Sequence, residues 1–307
     1  MKKIIFISLI FSLFFFIGCS KSTDSGKKRI GVVLQTRAHQ FYKDLEEGLK
    51  KEAAKLGYEL VVVSAEFDIN KQISQIEDMI TQKVNSIIVC PADSKGIGIG
   101  VKKANEAGIP VFTADIASDE GDVVCHIASD NKAGGRKAGE YLAKLLNGKG
   151  KIAIINRPTV TSVLDRVAGF REEIAKYPDI KIVADVDGGG ERDKSLKATS
   201  DVLQAHPDLD GIFGINDDSA LGALSAVKEF KRDKVVIVGY DATPEANNAI
   251  LAGTNLKADV VQYPEKIGIK TIQVVNDYLN GKTVEKVIPV EIGIVDKESL
   301  EKSEKVN

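Results

Sequence analysis

The chain has 307 residues, with 42 Lys and Arg against 44 Asp and Glu and a formal net charge of −2 at pH 7. That length exceeds what one core fills comfortably, so two domains are expected, and the even charge argues against a nucleic-acid surface. The cysteines at 19, 90 and 125 and the scattered histidines at 39, 126 and 206 have no metal-site spacing.

Lys2 and Lys3 precede an almost unbroken apolar run, Ile4 to Ile17, closed by Gly18-Cys19. The run is too short for a membrane span, which needs roughly 20 residues, and fits the core of a secretory signal. A small residue directly before a cysteine resembles the processing site of bacterial lipoproteins, where cleavage leaves a lipid-bearing cysteine, here Cys19. Phe16 departs from the leucine usual in that motif. The alternative is an ordinary secretory signal or an uncleaved anchor. Residues 1–18 are therefore expected to be a signal peptide, and the small, polar 19–28 segment a lipid-anchored linker.

From Arg29 the chain alternates β-branched runs with helical periodicity. IGVVL (30–34) reads as a strand buried on both faces. Phe41, Leu45, Leu49, Ala53 and Leu56 then fall at helical spacing, and Gly57 stops that helix. Strand ELVVVSA, a helix through Ile73, Ile76 and Ile80, strand SIIVC ending at Cys90-Pro91, and a helix reaching Gly108 come next. Strands IPVFTAD and DVVCHIASD complete the first round. The second has helix 131–146, strand KIAIIN, helix 162–176, strand IKIVADV, helix 192–205 and strand GIFGIN. Helix 219–230, strand KVVIVGYD, helix 244–251 and strand LKADVVQ follow. A helix over 266–279 and a strand over 286–292 close the chain. Such alternation is α/β, and two similar rounds imply two doubly wound parallel-sheet lobes.

Ligands of such sheets bind beyond the carboxyl ends of the strands. His39, Phe41 and Tyr42 stand after the first strand. Asp115 and Ser129-Asp130-Asn131 follow later ones. In the second half the corresponding positions are Arg157, Arg166, Asn216-Asp217-Asp218, Asp241 and Gln262. Aromatic rings can cover the apolar face of a flat ligand, although Phe41 also has the core spacing of its helix. Carboxylate, guanidinium and amide groups can hold vicinal hydroxyls, and Asp241 with Arg166 would neutralise one another. Taken singly, each is more often a helix cap than a ligand, Asp217 above all. Their repetition after successive strands favours a binding site. GIGIG (96–100) lacks dinucleotide-fingerprint spacing, and Gly188 to Gly190 reads as a flexible loop in preference to the alternative, an approach of backbone to ligand. No nucleophile–base arrangement is visible. Neither cofactor, metal nor catalysis is expected.

HIASDN (126–131), INDDSALGAL (215–224), VGYDATPEA (238–246) and VVQYPEKIG (260–268) resemble the ribose-binding-protein-like family of periplasmic sugar receptors. These are solute receptors of ABC importers, and the similarity runs from Arg29 to about Val295. The resemblance implies the type I periplasmic binding protein fold, in which three strands join two lobes around the sugar. It places crossings near Ser129-Asp130, Gln262-Tyr263 and Pro289-Glu291. The N-terminal lobe is then 29–129 with 263–290, and the C-terminal lobe 130–262 with 291–307. Arg166, Asn216, Asp241 and Gln262 match the family's sugar-binding positions in type, as do Phe41 and Asp115. Tyr42 replaces a Phe. His39 and Cys90 stand where ribose binders have Asn, and Ile116 where they have Arg. Since a hydroxyl-pairing site rejects ligands that leave polar groups unpaired, these departures point away from ribose, toward a hexose or polyol. In this fold the strand containing Val111 separates Cys90 from Cys125 by about 10 Å, too far for a disulfide.

The expected function is therefore sugar or polyol capture for an ABC permease, without chemistry. The protein would be exported to the periplasm or cell surface, lipid-anchored to the membrane through Cys19, and monomeric. The alternative is an exported receptor for a membrane sensor.

Overall fold

A computed structural model describes residues 27–304; the expected signal peptide, Cys19 and most of the linker lie outside the described residues. The first lobe begins β1 (Arg29–Leu34), α1 (Gln40–Leu56), β2 (Glu59–Ser64), α2 (Ile69–Thr81) and β3 (Ser86–Val89). It continues through α3 (Gly98–Glu106), β4 (Val111–Ala114) and β5 (Val123–Ser129). The chain then enters α4 (Asn131–Leu145), β6 (Lys149–Asn156), α5 (Thr161–Ile174), β7 (Asp179–Asp187), α6 (Arg192–Ala205) and β8 (Gly211–Gly214). After these come α7 (Asp217–Glu229), β9 (Val236–Asp241), α8 (Pro244–Leu251) and β10 (Leu256–Val261). The last elements are α9 (Pro264–Leu279), β11 (Val287–Val290), β12 (Gly293–Asp296) and α10 (Lys297–Glu304).

Two six-stranded sheets result, ordered β11-β5-β4-β3-β1-β2 and β12-β10-β9-β8-β6-β7. Every pairing is parallel except β12 against β10. The sheets are therefore built from interleaved stretches of chain, which passes between them after β5, after β10 and between β11 and β12. The strand expected over 286–292 is in fact two. β11 pairs with β5 in the first sheet, and Glu291-Ile292 carry the crossing to β12 in the second. Helix α10 has no counterpart in the sequence expectations. Its polar run, KESLEKSE, offers Leu300 as its one apolar anchor.

Local chemistry explains the helix ends that matter. Gly57 closes α1 in the left-handed conformation (φ 78°), where a Cβ would clash with its own backbone. Asp68 caps α2 by accepting from the Asn70 and Lys71 amides, and Pro244 opens α8 behind the Thr243 cap. Helices α4 and α5 approach so closely that a Cβ on Gly135 would sit 1.9 Å from the Arg166 carbonyl oxygen. That contact fixes the helix bearing Arg166. Cys90 and Cys125 are buried free thiols. Among the described residues, no helix is long and apolar enough to cross a membrane.

Candidate functional site

The carboxyl ends of both sheets face one another across a narrow cleft lined by side chains from the two lobes. The first lobe contributes Gln35, His39, Phe41, Tyr42, Asp115 and Ile116. From the second come chiefly Arg157, Arg166, Asn216, Asp241 and Gln262, with Val160, Val163 and Ile215 as an apolar wall.

The cavity holds two carboxylates and two guanidiniums. Asp115 follows β4 at φ 67° and Asp241 ends β9 at φ 124°, both in backbone regions that disfavour side chains. Such strain costs of order 1–3 kcal/mol per residue and persists only where surroundings enforce it. Asp115 Oδ2 accepts from the Tyr42 hydroxyl at 2.6 Å, whereas its Oδ1 is buried without a partner. Burial pushes the Asp115 carboxyl up, against the pull of Arg166, Tyr42 and Arg157. Asp241 is raised further by burial, although Arg166 and the Gln262 amide oppose the shift. Gln262 Nε2 donates to Asp241 Oδ1 at 2.7 Å, which leaves the Gln262 carbonyl oxygen unpartnered.

Arg166 lies 3.9 Å from the Asp241 carboxylate and over the Tyr240 ring at 3.9 Å. It also donates to Asn131 Oδ1 and to the Ile215 carbonyl, both at 2.8 Å. A buried cation held by four partners is a rigid donor, not a mobile one. Arg157 reaches across the cleft to Gln35 Oε1 at 2.8 Å and the Ala92 carbonyl at 2.6 Å. Burial lowers the pKa of His39, opposed by Asp218, whose Oδ2 is 3.5 Å from His39 Nε2 across the cleft. Among the described residues no group of three His, Cys, Asp or Glu side chains is placed to hold a metal ion.

The model of the periplasmic binding protein domain matches residues 30–283. The chain belongs to the periplasmic binding protein family. This periplasmic binding protein is 36% identical over 273 residues to the ribose import binding protein of Salmonella typhimurium, covering 89% of this chain and 92% of the relative. It is 34% identical over 234 residues to a xylitol-binding protein of Mycolicibacterium smegmatis, covering 76% and 67%. The solved Caulobacter myo-inositol binding protein superposes with a TM-score of 0.85 at 29% identity, covering 92% of this chain and 97% of that one.

Within this periplasmic binding protein, eight of the nine expected contact residues line the cleft: His39, Phe41, Tyr42, Asp115, Arg166, Asn216, Asp241 and Gln262. Cys90 does not. It is wholly buried in the first lobe's core, where burial holds its thiol protonated. The hydroxyl that Tyr42 adds is occupied by Asp115, to which it donates, and by the Gln35 amide that donates to it. Asn216, not Asp217, caps α7 by accepting from the Ser219 amide at 2.9 Å. Asp217 instead is buried, where its Oδ2 accepts from the Thr243 amide at 2.7 Å while its Oδ1 has no partner. Gly190, read from sequence as loop, has its backbone at the cavity, and its carbonyl accepts from Asn216 Nδ2 at 3.0 Å. Gln35 and Ser162 were not among the expected residues. Gln35 directly follows β1, so the carboxyl-end rule could have found it.

Proposed function

We propose that this chain is the substrate-binding lipoprotein of an ABC sugar importer. It captures a neutral monosaccharide or polyol other than ribose by hinge closure of its lobes, and performs no chemistry. The observation that carries this reading is the charge-balanced cavity, with two carboxylates facing two guanidiniums. An anionic sugar would meet no excess of positive charge there, whereas a neutral polyol would satisfy the unpartnered oxygens of Asp115 and Gln262. Phe41 offers a ring face, and the relatives named for ribose, xylitol and myo-inositol support the class. The case against ribose rests on His39 and Ile116, since Cys90 is away from the cleft. Ile116 packs into the second lobe's apolar cluster, giving a wall without hydrogen-bonding capacity. Contacts would come from Phe41, Asp115, Arg166, Asn216, Asp241 and Gln262, and the monomer would be tethered by lipid on Cys19 beside its permease.

Thermal-shift screening of residues 20–307 against pentoses, hexoses, polyols and sugar phosphates tests this, because a ligand specific to the folded state raises the melting temperature. At least one neutral compound should raise it, and Asp241→Ala should abolish the rise. Silence from every neutral compound would sink the sugar reading. A ribose response equal to the best would overturn the exclusion of ribose. Metabolic labelling with a fatty acid, lost in Cys19→Ser, tests the tether.

A further inference from the structure

Arg157 belongs to the second lobe, yet the groups it engages belong to the first. Its guanidinium donates to Gln35, which follows β1, and to the carbonyl of Ala92, which follows β3. It also lies 5.0 Å from the ring centroid of Phe67, which follows β2. One side chain thus ties three strand-end loops of the first lobe to the second, at 8% exposure. Gln35 passes the contact inward, donating through Nε2 to the Tyr42 hydroxyl, which donates to Asp115 Oδ2. The relay ends on the carboxylate whose other oxygen is unpartnered in the cavity.

The loop that carries Arg157 is seated by independent bonds. The Ser94 amide donates to the Thr159 carbonyl at 3.1 Å, and the Thr161 amide to Ser94 Oγ at 3.0 Å. None of these contacts survives separation of the lobes. Parting them would return the guanidinium to water and leave Gln35 free to rotate, so that the Tyr42 hydroxyl and the carboxylate lose their fixed orientation. A planar, always-charged fork suits this task better than an ammonium.

We infer that Arg157 is the latch of the closed state, and that through Gln35 and Tyr42 it positions Asp115 for a ligand hydroxyl. The inference rests on the cleft being the ligand site. Arg157 is a positioning residue, and latching predicts an effect on ligand escape, not on encounter.

The test compares wild type, Arg157→Ala, Arg157→Lys and Gln35→Ala by stopped-flow binding of the strongest neutral ligand from the thermal screen. Small-angle scattering of the ligand-free proteins accompanies it. Arg157→Ala should release ligand at least about tenfold faster with association within about twofold of wild type, as expected for loss of a charge-assisted bond. Gln35→Ala should move in the same direction and serves if Arg157→Ala fails to fold. Arg157→Lys should fall short of wild type, because one ammonium cannot serve both acceptors. An unchanged dissociation rate in both alanine variants, or a loss carried by association, overturns the latch. If no sugar binds wild type, the proposed function fails while the latch is judged by scattering alone. A larger ligand-free radius of gyration in Arg157→Ala supports it, and identical dimensions overturn it.

Discussion

Replacing Tyr42 by Phe removes one oxygen and keeps the ring, which isolates the work of the hydroxyl. In the wild type that hydroxyl donates to Asp115 Oδ2 at 2.6 Å and accepts from Gln35, and Tyr42 is 2% exposed. Its loss leaves both Asp115 oxygens without a protein donor, since Oδ1 already lacks one. A hydrogen bond to a charged group contributes about 1.5–3 kcal/mol, so a loss of about 2 kcal/mol is expected. For a chain of this size that lowers the melting temperature by about 3 °C. The pH dependence gives a second handle. The folded Asp115 pKa lies above its unfolded value because of burial, and the Tyr42 bond holds it down. For a carboxyl so raised, the ionised form is penalised in the fold, so its contribution weakens stability as pH rises through the folded pKa. Without Tyr42 that penalty grows. The deficit of Tyr42→Phe should therefore be largest near pH 8 and shrink near pH 5, as measured by urea denaturation with far-UV circular dichroism. Affinity by calorimetry should fall about tenfold at neutral pH, equivalent to about 1.4 kcal/mol. A stability change under about 0.5 kcal/mol at every pH, or a deficit greatest in acid, would refute the relay.

Three further outcomes follow from buried groups and close contacts. His126, bonded to Thr113 Oγ1 at 2.9 Å, is held neutral by burial, its pKa lowered to about 4. The unfolded state binds the proton first, so stability should fall by about 3 kcal/mol as pH drops from about 6.5 to 4, and His126→Gln should lack that fall in urea titrations. Burial and the neighbouring Asp217 hold Asp259 well above the usual carboxylate range. The wild type therefore loses stability as pH rises through that pKa. Asp259→Asn, which keeps an oxygen to accept from the Ala242 amide, should be at least about 1 kcal/mol more stable near pH 8, with the gap closing in acid. Gly135→Ala forces a Cβ onto the Arg166 carbonyl oxygen and should cost about 1–3 kcal/mol in denaturant, with ligand affinity reduced because α5 must shift.

Much of the fold was legible because its signals are local. The bounds of α6 and α8 match the sequence expectation, and for α8 a capping Thr243 and Pro244 announce the start. The segment 286–292 reads as one strand because local pattern in VIPVEIGI does not mark the break; the crossing near Pro289-Glu291 comes from the family resemblance, and the split depends on which neighbour each half pairs with. Most of the cleft followed from one rule, that ligands sit after strands. What the rule cannot supply is direction. Asn216 and Asp217 are adjacent and chemically similar, yet one caps a helix at the cleft and the other turns toward Asp259. Cys90 occupies a strand end whose side chain faces the core. Arg157 stood out as a residue after a strand, but its partners at 35 and 92 are far away in the chain, so its cross-cleft role could not be read locally.

The interleaving of the two sheets has a consequence for how the molecule is assembled. The first lobe's sheet lacks its outer strand until β11 arrives, and α1 waits for α9, whose Asn276 accepts from Tyr58 at 3.0 Å. Both wait for a stretch of chain that forms the other lobe in between. A partly made polypeptide can thus finish neither half. The second sheet also gains its antiparallel edge, β12, only at the end. Pairings so distant in sequence make for slow folding. Cutting the chain at any single point therefore cannot release an intact half.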